Sequence, residues 1–415
     1  MPSSFARTGD AQTSSAQGKV VVLLGGLIAI ATLTIDLYLP AFPSLRSEFN
    51  ASASQVQLTL TAYFTGMVVG MATVGPASDR HGRKRPLVVG LAGFTLASAL
   101  CAVAPSLPVL VGARFAQGIL GSAAAVLSLA IVGDIAHGRA AARIMSWTML
   151  VGMVGPVIAP LLGGLLLAIG TWRWIFVALA VYGAVLTLLV LWALPETLPK
   201  GRRHKAALQD TLDGFRHALK DRQFFGYAVG GSLISAAVFA YLGGSSLVLH
   251  DVYGLSAQMY GLVFALNSIG LMAAMQVGRF MLRWTTPRNV ALAGGALAVA
   301  GAVALLAVTV VGGLGLLPFL GAIFIILGGH GMETPNSTAL ALAGHPDRAG
   351  TASSLVNIIM FGLGAAAAPL VGIGGSDSAL PLVVVMVVVT AAGLSTLLFV
   401  AQPNPRIDTQ ASAAE

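Results

Sequence analysis

The sequence predicts an all-α membrane protein in which twelve spanning helices form two pseudo-symmetric six-helix bundles. Its 415 residues are 56% hydrophobic and only 9% charged, which is more apolar surface than the core of a soluble protein can hide. The apolar residues fall into continuous runs of the length that crosses a bilayer, about 20 residues. Lysine and arginine collect on alternate connecting segments, as expected when one side of the membrane is the cytoplasm.

The apolar runs define the predicted spans in order. They cover residues 20–41, 57–77, 86–104, 108–133, 144–169, 173–194, 223–249, 259–281, 289–311, 314–341, 350–372 and 379–401. The runs are continuous rather than alternating, which excludes a β-barrel. The 50 glycines are consistent with membrane helices that approach each other closely.

Charge distribution predicts the orientation. The net charge is +8, and all lysines and arginines except Arg46, Arg114 and Arg173 fall on segments predicted to be cytoplasmic or at their edges. This bias places both termini in the cytoplasm and the chain in the inner membrane. No basic stripe with interleaved aromatic residues remains for nucleic acid.

The longest polar stretch divides the chain. We predict a cytoplasmic tail at 1–19, a bundle at 20–194, a linker at 195–222, a second bundle at 223–401 and a cytoplasmic tail at 402–415. Apolar residues recur at helical spacing in the linker and indicate an amphipathic helix on the membrane surface. A solvated tether with no other role is the alternative.

The two halves contain weak internal repeats. The sequence Ala-Pro-Leu-Leu-Gly at 159–163 is echoed by Ala-Pro-Leu-Val-Gly at 368–372, and the Gly75 segment has a degraded echo at 278–283. Each pair is separated by about half the chain. Parallel repeats of this kind place a transport site between the halves near the middle of the membrane.

Four segments together resemble one family. They are Gly75–Arg85 (GPASDRHGRKR), Arg114–Gly118 (RFAQG), the glycine- and proline-rich stretch 152–164 of the fifth span, and Thr34–Pro43 (TIDLYLPAFP). The first three resemble motifs of the major facilitator superfamily, and the third resembles its antiporter motif. The fourth is similar to the bicyclomycin/chloramphenicol (Bcr/CflA) group of drug:proton antiporters. The resemblance implies a major facilitator fold and multidrug efflux driven by protons.

Ionisable residues inside the spans are candidates for proton coupling, because a charge in the bilayer must face protein, water or a partner. Asp36 and Arg114 lie at similar predicted depths near the outer ends of the first and fourth spans, so they are predicted to neutralise each other. A static ion pair between these two spans is the structural alternative.

Glu333 is the third candidate for proton coupling. It shares a helix face with His330 and Asn336, beside Pro335, which can kink the tenth span. The alternative is that Glu333 lies near enough to the cytoplasmic end of its span to reach water or a cation.

The resemblance assigns a gate to the Gly75 segment. It implies that this loop holds the halves together when the transport site faces outward. We therefore expect gate residues that include glycines for tight backbone and charges for pairing: Gly75, Asp79, Arg80, Gly82, Arg83 and Asp134.

Two further groups are expected to shape the transport path. The fifth span supplies residues for close helix contact and bending: Gly152, Gly155, Pro156, Pro160, Gly163 and Gly164. The predicted substrate cavity contains a mixture of aromatic, thioether and amide side chains that suits loose specificity: Tyr63, Gln117, Met149, Met153, Phe239 and Asn267. Plain helix packing is the alternative for each cavity residue.

These observations predict a secondary transporter that exports small amphipathic or drug-like compounds in exchange for protons. An exporter of a metabolite such as an amino acid or sugar is the first alternative, and a membrane enzyme or a receptor is a more remote one. We expect no cofactor, no metal and no nucleic-acid partner, since no P-loop and no metal-ligand spacing occurs. The expected partners are the lipid bilayer, protons and a small-molecule substrate, and the protein is expected to be a monomer.

Overall fold

A computed structural model describes residues 6–136, 138–203, 208–312, 314–345, 349–372 and 378–401. The helices in this part of the chain are α1 Ala6–Asp36, α2 Phe42–Glu48, α3 Ala53–His81, α4 Lys84–Ala102, α5 Leu107–Ile135, α6 Gly138–Ile169, α7 Arg173–Ala193, α8 Leu208–Lys220, α9 Arg222–Asp251, α10 Ala257–Met281, α11 Pro287–Val311, α12 Leu316–Leu342, α13 Ala349–Gly372 and α14 Leu380–Phe399. Short 3₁₀ segments lie at Leu39–Ala41 and Lys200–Arg202.

The described helices confirm the all-α membrane fold. Eleven of them are long and apolar enough to cross a membrane. The fifth predicted span corresponds to α6, whose apolar stretch within the described side chains is Val154–Ile169. The remaining two helices are the short α2 and the polar-faced α8.

Helix packing repeats itself between the two halves. In the first half, α1 packs on α6 and α7, α3 packs on α5, and α4 packs on α5 and α7. In the second half, α9 packs on α13 and α14, α10 on α12, and α11 on α12 and α14, which is the same arrangement six spans later. The halves meet where α3 lies against α13 and where α6 lies against α10.

Charged side chains distinguish the two ends of this helical body. We call the end with the Gly75–Arg85 segment and the linker the basic face. The other end carries Arg46, Arg173 and Asp251, and we call it the closed face because the halves are joined there. On this side Gln57 Nε2 donates to the carbonyl of Gly243 at 3.0 Å, across the boundary between the halves.

Two more hydrogen bonds join the halves between the closed face and mid-depth. Gln258 Nε2 lies 3.3 Å from the carbonyl of Gly164, and Ser268 Oγ lies 3.1 Å from the carbonyl of Pro156. These hydrogen bonds between the bundles thus lie between the closed face and mid-depth.

An aromatic cluster joins the halves at mid-depth. Phe64 of α3 lies edge-on to Phe239 of α9, with ring centroids 4.8 Å apart, and Phe361 of α13 lies 5.8 Å and 5.5 Å from these two rings. Phe64 is eleven residues from the start of α3 at the closed face, which corresponds to a depth of about 17 Å. One ring from each of three helices thus fills the middle of the boundary.

The first predicted span was wrong at its outer end. We predicted a helix to residue 41, but α1 ends at Asp36 and the chain continues through the 3₁₀ segment into α2. Pro40 is the reason, since it has no backbone N–H to donate to the carbonyl of Asp36 four residues earlier, whereas Pro43 lies in the first turn of α2, where a missing N–H is tolerated. Asp36 is therefore the last residue of its helix rather than one inside it.

The linker helix α8 is attached to the second half. Phe215 and Ala218 pack in a hydrophobic cluster with Phe224 of α9 and Leu355 of α13. Asp221 accepts a hydrogen bond from the backbone N–H of Gln223 at 2.9 Å, which caps α9. Its other oxygen lies 3.1 Å from His345 Nε2, just after α12, so the end of the linker is fixed to the second bundle.

Candidate functional site

Arg114 is the most completely buried cation in the described part of the chain. Its side chain is 0% exposed, and Nη1 donates to Gln117 Oε1 at 2.7 Å and to the carbonyl of Thr34 at 3.3 Å. Its Nε and Nη2 have no hydrogen-bond partner. Two nitrogens of a buried cation are therefore free to donate to a further acceptor.

Aromatic rings compensate part of the charge of Arg114. The guanidinium carbon lies 4.7 Å from the ring centre of Tyr38, 4.5 Å from that of Tyr63 and 5.7 Å from that of Phe176. A desolvated cation–π contact is worth about 2 kcal/mol, so this aromatic cage makes an arginine without a carboxylate tolerable inside the membrane. Tyr63, predicted to line the cavity, is thus part of the Arg114 cage.

Gln117 is held within the first half. Its Oε1 accepts from Arg114 and its Nε2 donates to Ser98 Oγ of α4 at 2.8 Å. Ser98 in turn donates to the carbonyl of Phe94. The structure places Gln117 in a buried polar chain from α5 to α4, directed away from the second half.

Asp36 is not paired with Arg114. It is 5% exposed, and it makes no ion pair with Arg114 or with any other described residue. The predicted neutralisation is therefore absent from this structure, because α1 ends at Asp36 and the arginine instead binds the backbone two residues earlier, at Thr34.

The carboxyl group of Asp36 lies near tyrosines of both halves. It acts electrostatically on Tyr63 of α3 and on Tyr241 and Tyr260 of α9 and α10. Tyr241 accepts from Asn267 Nδ2 at 2.9 Å, and Tyr260 and Ser245 share a hydrogen bond of 3.0 Å. Asn267, predicted for the cavity, is thus hydrogen-bonded to a tyrosine of the second half.

Glu333 lies inside the second bundle. It is 0% exposed, and its Oε2 accepts from Thr334 Oγ1 at 3.1 Å, while Thr334 also bonds His330 Nδ1 at 2.9 Å. The glycines at Gly231 of α9 and Gly294 of α11 make room for it, since a Cβ at either would lie within 3.0 Å of its side chain. Glu333 Oε1 has no partner. The carboxyl is therefore wedged between α9, α11 and its own helix α12.

Three of the predicted gate residues, Asp79, Arg83 and Asp134, form one cluster around the guanidinium of Arg83. Its Nη1 donates to Asp79 Oδ1 and to Ser78 Oγ, both at 2.6 Å, and its Nε donates to Asp134 Oδ2 at 3.0 Å. Asp134 also accepts from Thr197 Oγ1 at 3.1 Å. These charges hold the pKa of Arg83 above its ordinary value, although burial lowers it. All of the partners belong to the first half or to the start of the linker.

Glu196 completes this cluster, and sequence reasoning did not assign it there. Its Oε1 accepts from the backbone N–H of Arg83 at 2.7 Å and from that of Leu198 at 3.1 Å, and its Oε2 lies 3.6 Å from Arg203 Nη2. Burial raises the pKa of Glu196, but these N–H groups and Arg203 outweigh it and hold the pKa below its ordinary value. The sequence Leu-Pro-Glu-Thr at 194–197, where the sixth predicted span ends, was the signal that could have indicated this role.

The other gate residues have distinct settings. Gly82 adopts a φ of +91°, which only glycine takes readily, and a Cβ there would strike Glu196. Gly75 has no neighbour within 4 Å of where a Cβ would be, so its helix face is uncovered. Arg80 is in the last turn of α3, and the structure gives it no hydrogen bond or ion pair.

The glycines of α6 act at two different contacts. A Cβ at Gly155 would lie 3.1 Å from Thr32, and one at Gly163 would strike the carbonyl of Leu37, so both serve packing on the first span. A Cβ at Gly164 would lie 3.1 Å from the carbonyl of Ala257 in the second half. Gly152 lies outside the residues whose surroundings the structure describes.

The prolines of α6 supply an acceptor to the other half. Because Pro160 has no N–H, the carbonyl of Pro156 one turn earlier is left without its helical partner. The hydroxyl of Ser268 on α10 lies 3.1 Å from this oxygen. The bend in α6 therefore also provides a hydrogen bond between the halves.

The remaining cavity predictions divide into two groups. Phe239 belongs to the aromatic cluster at the boundary between the halves. The side chains of Met149 and Met153 lie outside the described residues. No group of three His, Cys, Asp or Glu residues that could hold a metal occurs in the described ranges.

Comparison with known proteins identifies the family. The model of the Major Facilitator Superfamily matches residues 24–369. The chain belongs to this superfamily. It is 37% identical over 376 residues to an uncharacterized MFS-type transporter of Bacillus subtilis (strain 168), covering 89% of this chain and 92% of that protein. It is 29% identical over 367 residues to a bicyclomycin resistance protein homolog of Haemophilus influenzae, covering 88% and 92%.

A solved structure supports the same fold. The bacterial homolog of the human lysosomal transporter Spinster, in an inward-facing and unoccupied conformation, superposes with a TM-score of 0.72 at 15% identity, covering 96% of this chain and 98% of that one. The family match and the spanning helices make the protein a multi-pass membrane transporter of this superfamily and not an enzyme. Members of this superfamily move small molecules.

Proposed function

We propose that this transporter exports small amphipathic or drug-like compounds in exchange for protons. The observation that carries the proposal is Asp36, a buried carboxyl group at the boundary between the halves that no described cation neutralises. A carboxyl in that setting is expensive unless it binds a proton or a cationic ligand. The resistance protein homolog among the relatives supports a drug-like substrate.

The basic face is proposed to be cytoplasmic, with both termini on that side. The positive-inside bias supports this orientation. In the present structure the closed face would then face outward, and the transport site would communicate with the cytoplasm. Export requires the opposite state, in which the contacts at the closed face separate and the basic face closes.

Arg114 and Asp36 are proposed to act together during this change. The Nε and Nη2 groups of Arg114 have no hydrogen-bond partner, although the side chain is fully buried. A shift of the end of α1 would bring the Asp36 carboxylate to these groups. The ion pair predicted from the sequence would therefore form in the other state and release the proton of Asp36 when it does.

Glu333 is the alternative proton carrier. It is as buried as Arg114 and is hydrogen-bonded to Thr334, but it lies among α9, α11 and α12 rather than at the boundary. A proton on Glu333 would act on the packing of the second bundle, whereas one on Asp36 would act directly on the transport site.

The Gly75 segment is proposed to close the basic face in the outward-facing state. In the present state Arg83 is satisfied within the first half, and the face of α3 at Gly75 is uncovered. The Arg83 cluster therefore fixes the shape of the loop, and the uncovered surface beside it is available for docking on the second half.

The test uses everted membrane vesicles, in which export appears as uptake coupled to proton release. Adding a transported drug to energised vesicles should dissipate the pH gradient, as reported by a fluorescent dye. Asp36→Asn keeps the shape but cannot titrate, so it should abolish this response while the protein still inserts and folds. Glu333→Gln is the matched variant and should leave the response largely intact.

Two outcomes would contradict the proposal. A full response from Asp36→Asn with a lost response from Glu333→Gln would transfer the carrier role to Glu333. Concentrative transport that survives complete collapse of the pH gradient and the potential would exclude proton coupling altogether. A response to amino acids or sugars, with none to a drug panel, would favour the metabolite exporter.

A further inference from the structure

Arg46 and Asp251 form a charged contact between the halves on the closed face. Arg46 Nη1 lies 2.5 Å from Asp251 Oδ2, and the two residues are 205 positions apart in sequence. Arg46 belongs to α2 in the first half, and Asp251 is the last residue of α9 in the second. Among the ion pairs of the described residues, this is the one that crosses the boundary between the bundles.

We propose that the Arg46–Asp251 pair is a latch that holds the closed face shut and must break each time the transporter turns outward. The proposal rests on the alternating access proposed above. The latch gives a function to Arg46, which lies on the side of the membrane where the chain has few other lysines or arginines.

The geometry around the pair suits a contact that forms and breaks. The side chains are 37% and 21% exposed, so water replaces the partner when the face opens and neither charge is stranded in lipid. His250 Nδ1 also contacts Asp251, at 2.9 Å through the other carboxylate oxygen, and holds the acid in place on its own helix. A deeply buried pair would be too costly to separate in each cycle.

The other contacts across the closed face are of a different kind. Gln57 with Gly243 and Gln258 with Gly164 pair neutral side chains with backbone carbonyls. Only the charged pair attracts over a distance longer than a hydrogen bond, so it favours closure before the surfaces touch and it weakens with salt.

A second ion pair on the same face provides the control. Arg173 Nη1 lies 2.6 Å from Glu48 Oε1, with side chains 35% and 39% exposed, and both residues belong to the first half. Both arginines thus lie on the closed face, pair with a carboxylate and are about equally exposed. They differ in that only the Arg46 pair crosses the boundary between the halves.

The reporter is a cysteine introduced at Ser54. Ser54 lies at the start of α3 against Gly372 of α13, where a Cβ on the glycine would come within 2.6 Å of the Ser54 backbone. The native Cys101 is fully buried and is removed by Cys101→Ala. Because Ser54 is half-buried, the parent protein sets a baseline rate. A change in the rate at which a water-soluble maleimide modifies Ser54→Cys in reconstituted full-length protein then reports a change in how often the closed face opens.

We expect Arg46→Ala to raise this rate about two- to fivefold, the range for exposed ion pairs, and Arg173→Ala to leave it unchanged. The reversed pair Arg46→Asp with Asp251→Arg should return the rate toward that of the parent. High salt should raise the parent rate but not that of Arg46→Ala.

Equal rates for Arg46→Ala and Arg173→Ala would overturn the latch, as would a reversed pair no slower than Arg46→Asp alone. The reversed pair keeps the result interpretable if single changes lower the yield of folded protein. Labelling needs neither substrate nor a proton gradient. A failure here is therefore distinct from a failure of proton coupling, which the Asp36→Asn vesicle response measures.

Discussion

Replacing Gly118 by alanine should separate two helices that now touch backbone to backbone. A Cβ at Gly118 of α5 would strike the carbonyl oxygen of Tyr63 on α3 and lie 3.0 Å from the Met67 nitrogen. Ordinary contacts of carbon are about 3.5–4.0 Å. Relieving the contact with the carbonyl oxygen therefore requires the helices to move apart by about 1 Å or more at this point.

The cost follows from the contacts that this movement weakens. A gap of about 0.5–1 Å forfeits a quarter to a half of each contact energy of about 0.1–0.2 kcal/mol. Over the roughly 40–60 contacts that one buried leucine makes, the loss is about 1–6 kcal/mol. Measured overpacking costs are typically about 1–3 kcal/mol, and relaxation of the helices keeps the expected value in that lower range.

Gly112→Ala is the matched control on the same helix, since no atom lies within 4 Å of a Cβ at that position. In detergent, Gly118→Ala should show an apparent melting temperature several degrees below that of the parent, and Gly112→Ala should not. Gly66→Ala, which meets the carbonyl of Phe115 from the other side, should lower stability similarly, and the double variant should lose less than the sum. Equal melting of the Gly118 and Gly112 variants would refute the close contact.

Further predictions concern the hydrogen bonds of the linker and the boundary. The pKa of Glu196 is below its ordinary value of 4.5, so its contribution is complete above that pH and declines as the pH falls through the lower folded-state value. Between pH 7 and pH 3.5 the free energy of unfolding of the parent should therefore fall further than that of Glu196→Gln, by no more than about 1 kcal/mol because Glu196 is partly exposed. Thermal melting at a series of pH values measures this difference, and parallel curves for the two proteins would contradict this account. Ser268→Ala removes the donor to the Pro156 carbonyl and should raise Ser54→Cys labelling about two- to tenfold, whereas Ser395→Ala, which loses only a bond within α14, should not. Arg83→Ala should slow turnover and leave the equilibrium binding of substrate nearly unchanged, because the partners of Arg83 lie within the first half. Tenfold weaker substrate binding with normal turnover would assign the loop to the substrate site instead.

The membrane fold could be predicted from the sequence because hydropathy and charge bias act along the chain. Each span needs only local apolar residues, and the alternation of lysine and arginine does not depend on tertiary contacts. The end of the first span was misplaced because its residues stay apolar past Asp36. Pro40 ends the helix there by geometry, which hydropathy does not measure.

The pairing of charges was harder to predict because it depends on how helices rotate and tilt. Equal depth suggested that Asp36 and Arg114 meet, but Arg114 instead turns to Thr34, Gln117 and three aromatic rings. Arg46 offered a clue in the sequence, as a cation outside the positive-inside pattern. Its partner could not be found without the structure, since Asp251 lies in the other half.

The aromatic cluster of Phe64, Phe239 and Phe361 has a consequence for any movement of one half against the other. The rings come from α3, α9 and α13, so the contacts of Phe64 with the other two rings cross the boundary between the halves. An aromatic pair is worth about 0.5–1.5 kcal/mol beyond its buried area. Moving the halves apart at mid-depth therefore separates rings that attract each other, and the cluster resists spontaneous separation.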